Sequence, residues 1–224
     1  MPKHDIRAQL MPRRYTTIAA EIGAKVSAIA VTEGGAFRAG QWLVQFDCSI
    51  QKAQLDKAQA ELDGAGQTLR SNLRLEQLNS VGQLELDLSK SAVGKAKAEV
   101  GANMAVLAKC QVSAPFSGRV AEQKVREQQF VQAGQPLLDI LDDSVLELEF
   151  LVPSTWLRWL KVGGGFDVQI DETRKTYPAK FTRIGARVDP VSQSVKVAAA
   201  IHGKFPELMA GMSGKVLITP IAGQ

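Results

Sequence analysis

Two cysteines, two histidines and a handful of adjoining carboxylates are the side chains of this 224-residue sequence with the types to do chemistry. Cys48 and Cys110 are its whole cysteine complement; a zinc site needs about four ligands close together in sequence, so the pair does not read as a metal centre. His4 lies near a terminus and His202 just before a glycine. No Ser/His/Asp order and no glycine-rich phosphate loop accompanies them. Asp142 and Asp143 adjoin the end of a repeat, and Asp189 precedes Pro190; both read as turn chemistry rather than as acids. Met209, Met212 and His202 read as packing beside a loop rather than as metal ligands. The expectation is a protein that is not an enzyme, with no catalytic residue, no cofactor and no metal.

Bulk properties narrow the class further. Net charge is +4 and the isoelectric point about 9.1, yet the cations (Lys57, Arg70, Arg74, Lys90, Lys95, Lys97, Lys124, Lys180) are dispersed among acids. A nucleic-acid face needs clustered cations, so no nucleic-acid partner is expected. Hydrophobic content of 45% is enough for a core. No run of 18 apolar residues exists, and "MPKHDIRAQLMPRRY" lacks the apolar stretch of a signal peptide. Either the protein is cytoplasmic or its targeting segment lies outside this chain.

The elements that would position any site are announced by an internal repeat. Shifted by 94 residues, positions 24–46 and 118–140 share seven identities in 23: Val26/Val120, Val31/Val125, Glu33/Glu127, Ala39/Ala133, Gly40/Gly134, Gln41/Gln135 and Leu43/Leu137. Each copy alternates like short strands broken by an Ala-Gly-Gln turn, whose glycine can take positive φ. Two such four-strand halves, packed face to face, predict a small β-sandwich.

Between the copies, residues 48–110 contain no proline and are rich in Ala, Leu, Gln, Lys and Glu. Leu55, Leu62 and Leu69 recur every seven residues, as do Leu86, Val93, Val100 and Leu107 after a break at "NSVG" (79–82). Heptads on two segments joined by a turn predict an antiparallel coiled-coil hairpin reaching roughly 40–45 Å. Gly64, Gly66, Gly94 and Gly101 weaken it locally. From residue 143 onward, "VLELEFLV" alternates strictly, "PSTWLRWLKVG" (153–163) reads as a short helix, and four further strand patterns follow. They predict a small antiparallel β-barrel with one helix; residues 5–18 are expected to add an outer strand to this barrel or to a module beyond it.

In this order, the pieces resemble the periplasmic adaptor, or membrane-fusion protein, family (HlyD-like and RND-type efflux adaptors). "GAKVSAIAVTEGGAFRAGQWLVQFD" and "APFSGRVAEQKVREQQFVQAGQPLLDIL" are similar to its lipoyl-like halves, "RVDPVSQSVKVAAAI" to its barrel signature, and "LMAGMSGKV" to the turn near the barrel's end, with Ala210 where proline is common. The resemblance implies an α+β, elongated multidomain chain: an N-terminal strand (1–18) joining the barrel or a membrane-proximal region, lipoyl-like halves at 19–47 and 111–142, the α-helical hairpin at 48–110 and the β-barrel at 143–224. A membrane-proximal domain is expected to be absent or truncated. It also implies a ring of six copies joining an inner-membrane transporter, of RND or ABC type, to an outer-membrane TolC-like channel. The implied location is the periplasm, with attachment to the inner membrane through a segment outside this chain.

In many members the hairpin tip carries Arg, Leu four residues on and Ser seven further. Arg74 and Leu78 match; Glu85 stands where the serine would be. "ELD" at 85–87 resembles the segment after the tip, which shortens the turn by about three residues and brings Gly82 near the serine position. Arg74 also reads as a solvated helix-end cation and Leu78 as a residue of the helix seam. Cys48 and Cys110 fall where the hairpin leaves and rejoins the sandwich and are expected to be neighbours, either disulfide-bonded in an oxidising compartment or packed as two small buried thiols. A biotin or lipoyl carrier is the alternative, but carriers place a modifiable lysine on the turn joining the halves. Here Lys52, the first lysine after that point, falls inside the helix pattern. A purely structural coiled coil would leave the repeat unexplained.

Overall fold

The computed structural model describes residues 6–203 and 205–218; His4 lies outside them. The chain divides into two compact units, one of residues up to Thr16 together with those from Ile140 onward, the other Thr17–Asp139.

The second unit carries the repeat. Its elements are β2 (Ala24–Ile29), β3 (Ala36–Phe37), β4 (Trp42–Asp47), helices α1 (Ser49–Gln77) and α2 (Gln83–Ala108), β5 (Gln111–Ser113), β6 (Gly118–Gln123), β7 (Phe130–Val131) and the start of β8 (Pro136–Pro153). The halves do not form one sheet each, as the repeat alone would suggest. β3 of the first half pairs with β6 of the second, and β7 of the second pairs with β2 of the first. Each half thus lends its short strand to the other's sheet, because a two-residue strand has no stable edge unless a neighbour supplies the hydrogen bonds.

The repeated residues account for this exchange. Val26, Val120, Val31, Val125, Leu43 and Leu137 are all buried. Gly40 and Gly134 have φ of +77° and +85°, a left-handed conformation that costs a side-chain-bearing residue roughly 1–2 kcal/mol. The Gln41 side chain accepts the Arg38 N–H at 3.0 Å and Gln135 accepts the Gln132 N–H at 3.1 Å, so each glutamine closes its own turn. The turns then bond reciprocally: Gly40 N–H to the Ala114 carbonyl (2.8 Å) and Gly134 N–H to that of Ala20 (2.7 Å). Val120 accepts from Gly34 and Val26 from Gln128, at 2.9 and 2.8 Å. Gln128, at φ +66°, takes the left-handed position that Gly34 fills in the first copy.

The first unit is a ring of strands. β1 (Arg7–Ala19) pairs with β12 (Ser213–Leu217), then follow β9 (Gly165–Ile170), β10 (Thr176–Asp189), β11 (Ser194–Ile201) and β8, which pairs back to β1. Alternation sends Leu148, Phe150 and Val152 inward, where Phe150, Phe166 and Phe181 stack with centroids 4.6–6.2 Å apart. The helix expected over 153–163 is a single 3₁₀ turn, η1 (Ser154–Arg158). Trp156 within it and Leu160 just after it are buried in the core of this unit.

Asp142 and Asp143 are not in a turn: β8 runs unbroken through them for 18 residues. Asp142 is buried and accepts from Arg14 Nη2 at 2.6 Å and from the Ser144 N–H at 3.0 Å. Burial opposes its charge, but the Ser144 and Arg14 hydrogen bonds outweigh it and hold the carboxyl below its ordinary 3.8. A carboxyl depressed in the folded state stabilises above its unfolded value and loses that contribution as pH falls through the native value. Asp142→Asn is therefore expected to lower stability at neutral pH and to flatten the acid limb of the curve below about pH 4, read by urea midpoints across pH. In the sandwich, Leu137→Ala should cost about 2–5 kcal/mol, and Leu151→Ala, exposed on the strand ring, little, by the same measurement.

Candidate functional site

The helix pair is the feature of the second unit that a sandwich core does not require. Its base is built on strand pairing: Gln45 pairs with Gln111, the Phe46 N–H donates to the Cys110 carbonyl at 2.9 Å, and the Gln45 side-chain amide donates to the same oxygen at 3.1 Å. The next rung is covalent. Cys48 and Cys110 are joined by a disulfide with Cα atoms 6.1 Å apart, inside the range that bridging permits. Cys48 is the N-cap residue of α1 but gives no side-chain cap. The task moves one residue back: Asp47 Oδ1 accepts the Ser49 N–H at 3.2 Å. Hydrogen bonds from Ser49 hold the Asp47 carboxyl below its ordinary range. Lys109, at the other leg, pairs with Glu21 at 2.6 Å on the surface.

Above the base the helices touch along a thin seam. Inward positions follow 3–4 spacing, Gln51, Leu55, Ala58, Leu62, Ala65, Leu69 and Asn72 on α1 against Leu86, Ser89, Val93, Ala96, Val100, Asn103 and Leu107 on α2. Only Ala58 and Asn72 on α1 and Leu86, Ser89 and Val100 on α2 are fully buried. A groove of about 570 Å³ beside the seam is lined by Ala58, Ala92 and Ala96 at its floor and by Lys57, Glu61, Lys95 and Glu99, with Lys57 and Glu61 3.8 Å apart as an exposed i,i+4 ion pair. Among the described residues no three His, Cys, Asp or Glu side chains converge to hold a metal.

The tip is short because two caps end and restart the helices within five residues, 78–82. Asn79 takes φ +50°; its N–H donates to the Glu76 carbonyl (2.9 Å) and the Ser80 N–H to that of Leu75 (2.8 Å). This double bond pattern closes a helix around a left-handed residue, for which Asn is a common second choice after Gly. Gly82 then serves as the N-cap of α2. Of the three tip residues singled out in the sequence, Arg74 lies exposed in the last turn of α1 and Gly82 is exposed at the start of α2. Leu78, the C-cap residue, is 71% exposed and so does not belong to the seam.

Sequence reasoning missed the rest of the tip's apolar surface. Leu84 is 74% and Leu88 61% exposed, and Leu75 is also exposed. The signal was present: leucines at 84, 86 and 88 cannot share one helix face at 100° per residue. Once Leu86 takes the seam, Leu84 and Leu88, four apart, must share the outer face.

Residues 14–143 match the family described as RND MFP, barrel-sandwich hybrid domain. An uncharacterized protein of Haemophilus influenzae is 26% identical over 209 residues, covering 92% of this chain and 55% of the relative. Multidrug resistance protein MdtA of Yersinia pestis is 27% identical over 155 residues, covering 62% of this chain and 35% of the relative. The chain thus spans little more than half of the first relative's length and a third of the second's. A crystal structure of a MacA–MexA chimera carrying the Pseudomonas aeruginosa MexA α-hairpin superposes with TM-score 0.81 over 96% of this chain and 78% of that one, at 20% identity, a likeness of fold.

Removing the disulfide with Cys48→Ser and Cys110→Ser is expected to lower stability by up to roughly 4 kcal/mol, the chain-entropy value for closing a loop of 62 residues. Hydrogen exchange should quicken first in the α1 turns nearest residue 48 and in the α2 turns nearest residue 108, with β2, β4 and β6 still protected.

Proposed function

We propose that this chain, which belongs to the RND membrane-fusion-protein family, is the adaptor of a tripartite export system, joining an inner-membrane transporter to an outer-membrane channel of the TolC type. The observation that carries this is the apolar tip: Leu78, Leu84 and Leu88 project at the end of a helix pair about 43 Å long, an estimate from the 29 residues of α1. Exposed leucines at the end of a stiff arm are unfavourable in water unless a partner covers them. Helical partners suit them, because a leucine spaced at i and i+4 fits between the ridges of an opposing helix. In this reading the helix pair is an antiparallel coiled coil at 48–110 and the strand ring a small barrel at 143–224. The sandwich of 19–47 with 111–142 is the mount of the arm.

Assembly into a ring of six copies in the periplasm follows from the same family reading, as does an RND transporter over an ABC transporter as the inner-membrane partner, given the RND designation of the matched family. A multidrug resistance protein among the relatives points to small-molecule cargo.

Capture of a purified TolC-type channel by the full chain tests the tip. Leu78→Asp combined with Leu84→Asp is expected to weaken capture at least about tenfold, since each charge would have to be buried in the contact, with unchanged melting temperature because both side chains are exposed. Undiminished capture by the double variant would sink the tip as the docking element.

A further inference from the structure

The end of the strand ring where β8 passes into η1 carries a surface that channel docking leaves unused. From Phe150 to Phe166 the chain has no acidic residue, two tryptophans and two cations, Arg158 and Lys161. Folding sorts them by polarity. Trp156 and Leu160 are buried in the ring core, while Leu157 is 40% and Val162 61% exposed. Trp159 packs on Trp156 with centroids 5.0 Å apart and stays half-buried; among the described residues its indole N–H has no hydrogen-bond partner. Arg158 and Lys161 are exposed and make no ion pair among the described residues.

A second loop stands beside this one. The Ser154 N–H donates to the Gln193 carbonyl at 2.8 Å, which holds the turn between β10 and β11 against the start of η1. Val191 at its apex is 93% exposed. Of the neighbouring carboxylates, Glu149 is ion-paired with Lys196 at 2.6 Å, while Asp189 accepts from the Val191 and Ser192 N–H groups at 3.0 and 2.8 Å and keeps its charge.

We propose that this end of the ring is a peripheral docking surface for an anionic phospholipid bilayer. Leu157 and Val162, with Val191 beside them, enter the boundary between headgroups and acyl chains. Trp159 lies at headgroup level, where its ring is shielded and its N–H finds an oxygen. Arg158 and Lys161 reach lipid phosphates while their stems cover apolar surface. Charge complementarity selects lipid. Two exposed cations with no acid between Phe150 and Phe166, beside apolar side chains and against the one exposed Asp189 of the neighbouring turn, match an anionic surface.

Flotation of the full chain with vesicles of phosphatidylcholine, with and without about a third phosphatidylglycerol, tests this. Binding is expected only to the anionic vesicles, weakening with salt as screening predicts. In a Trp42→Phe background the tryptophan emission should shift to the blue on binding. Arg158→Glu with Lys161→Glu should weaken binding about tenfold or more, and Leu157→Asp with Val162→Asp should abolish the shift, at unchanged melting temperature. Leu78→Asp/Leu84→Asp should bind vesicles like the wild type, so failure of channel docking and failure of lipid docking are separable. Equal binding to neutral vesicles, or anionic binding untouched by either patch variant, overturns the proposal. So does a patch variant that loses capture of a detergent-solubilised transporter while keeping vesicle binding, which would make the surface a protein contact.

Discussion

The reciprocal exchange of short strands between the two repeat halves is the constraint on which the Thr17–Asp139 unit depends. Neither Ala36–Phe37 nor Phe130–Val131 can persist alone, so each half is complete only when the other has folded against it. The glycine turns enforce this. Gly40 and Gly134 aim their N–H groups at the residue that opens the opposite half, Ala114 and Ala20. Anything inserted between the halves must therefore enter and leave at one place, side by side. The β4–β5 ladder is that place, and the helix pair grows from it.

The disulfide carries the same constraint one step further. A seam with few fully buried side chains gives modest burial per layer, and glycines within both helices weaken each leg further. A covalent rung directly after the last backbone rung starts the two helices in register, and every layer above it then needs only to keep a register already set. At the far end the two caps, Asn79 and Gly82, return the chain in five residues, so alignment made at the base reaches the leucines at the tip.

In the other unit the corresponding element is β8. Its inward residues Leu148, Phe150 and Val152 fill the ring, while Glu147 and Glu149 face outward to Arg183 and Lys196. The buried Asp142 belongs to the same strand. An aspartate amid a strand is unfavourable by propensity, and it is tolerated because Arg14, on the adjacent strand β1, and Ser144, two residues along, satisfy its oxygens. That pairing joins positions 128 apart, which is why two adjacent aspartates read as a turn in the sequence.

Patterns with a local cause are legible in the sequence. Heptad leucines place both helices because the 3.6-residue period is a property of the chain itself. Repeated Val, Gly and Gln residues mark equivalent turns because each glutamine closes its own loop within three residues. What needs the tertiary structure is every choice between two locally equal options. Whether a half keeps or lends its short strand depends on which edge is nearest in space. Whether Leu78 joins the seam or projects from the tip depends on where the chain turns back, and there it is exposed. Whether two cysteines 62 residues apart are bonded depends on the ladder that brings their Cα atoms to 6.1 Å. Residue type and spacing determine which groups can interact; only the packed chain, by excluding the competing pairings, decides which of them do.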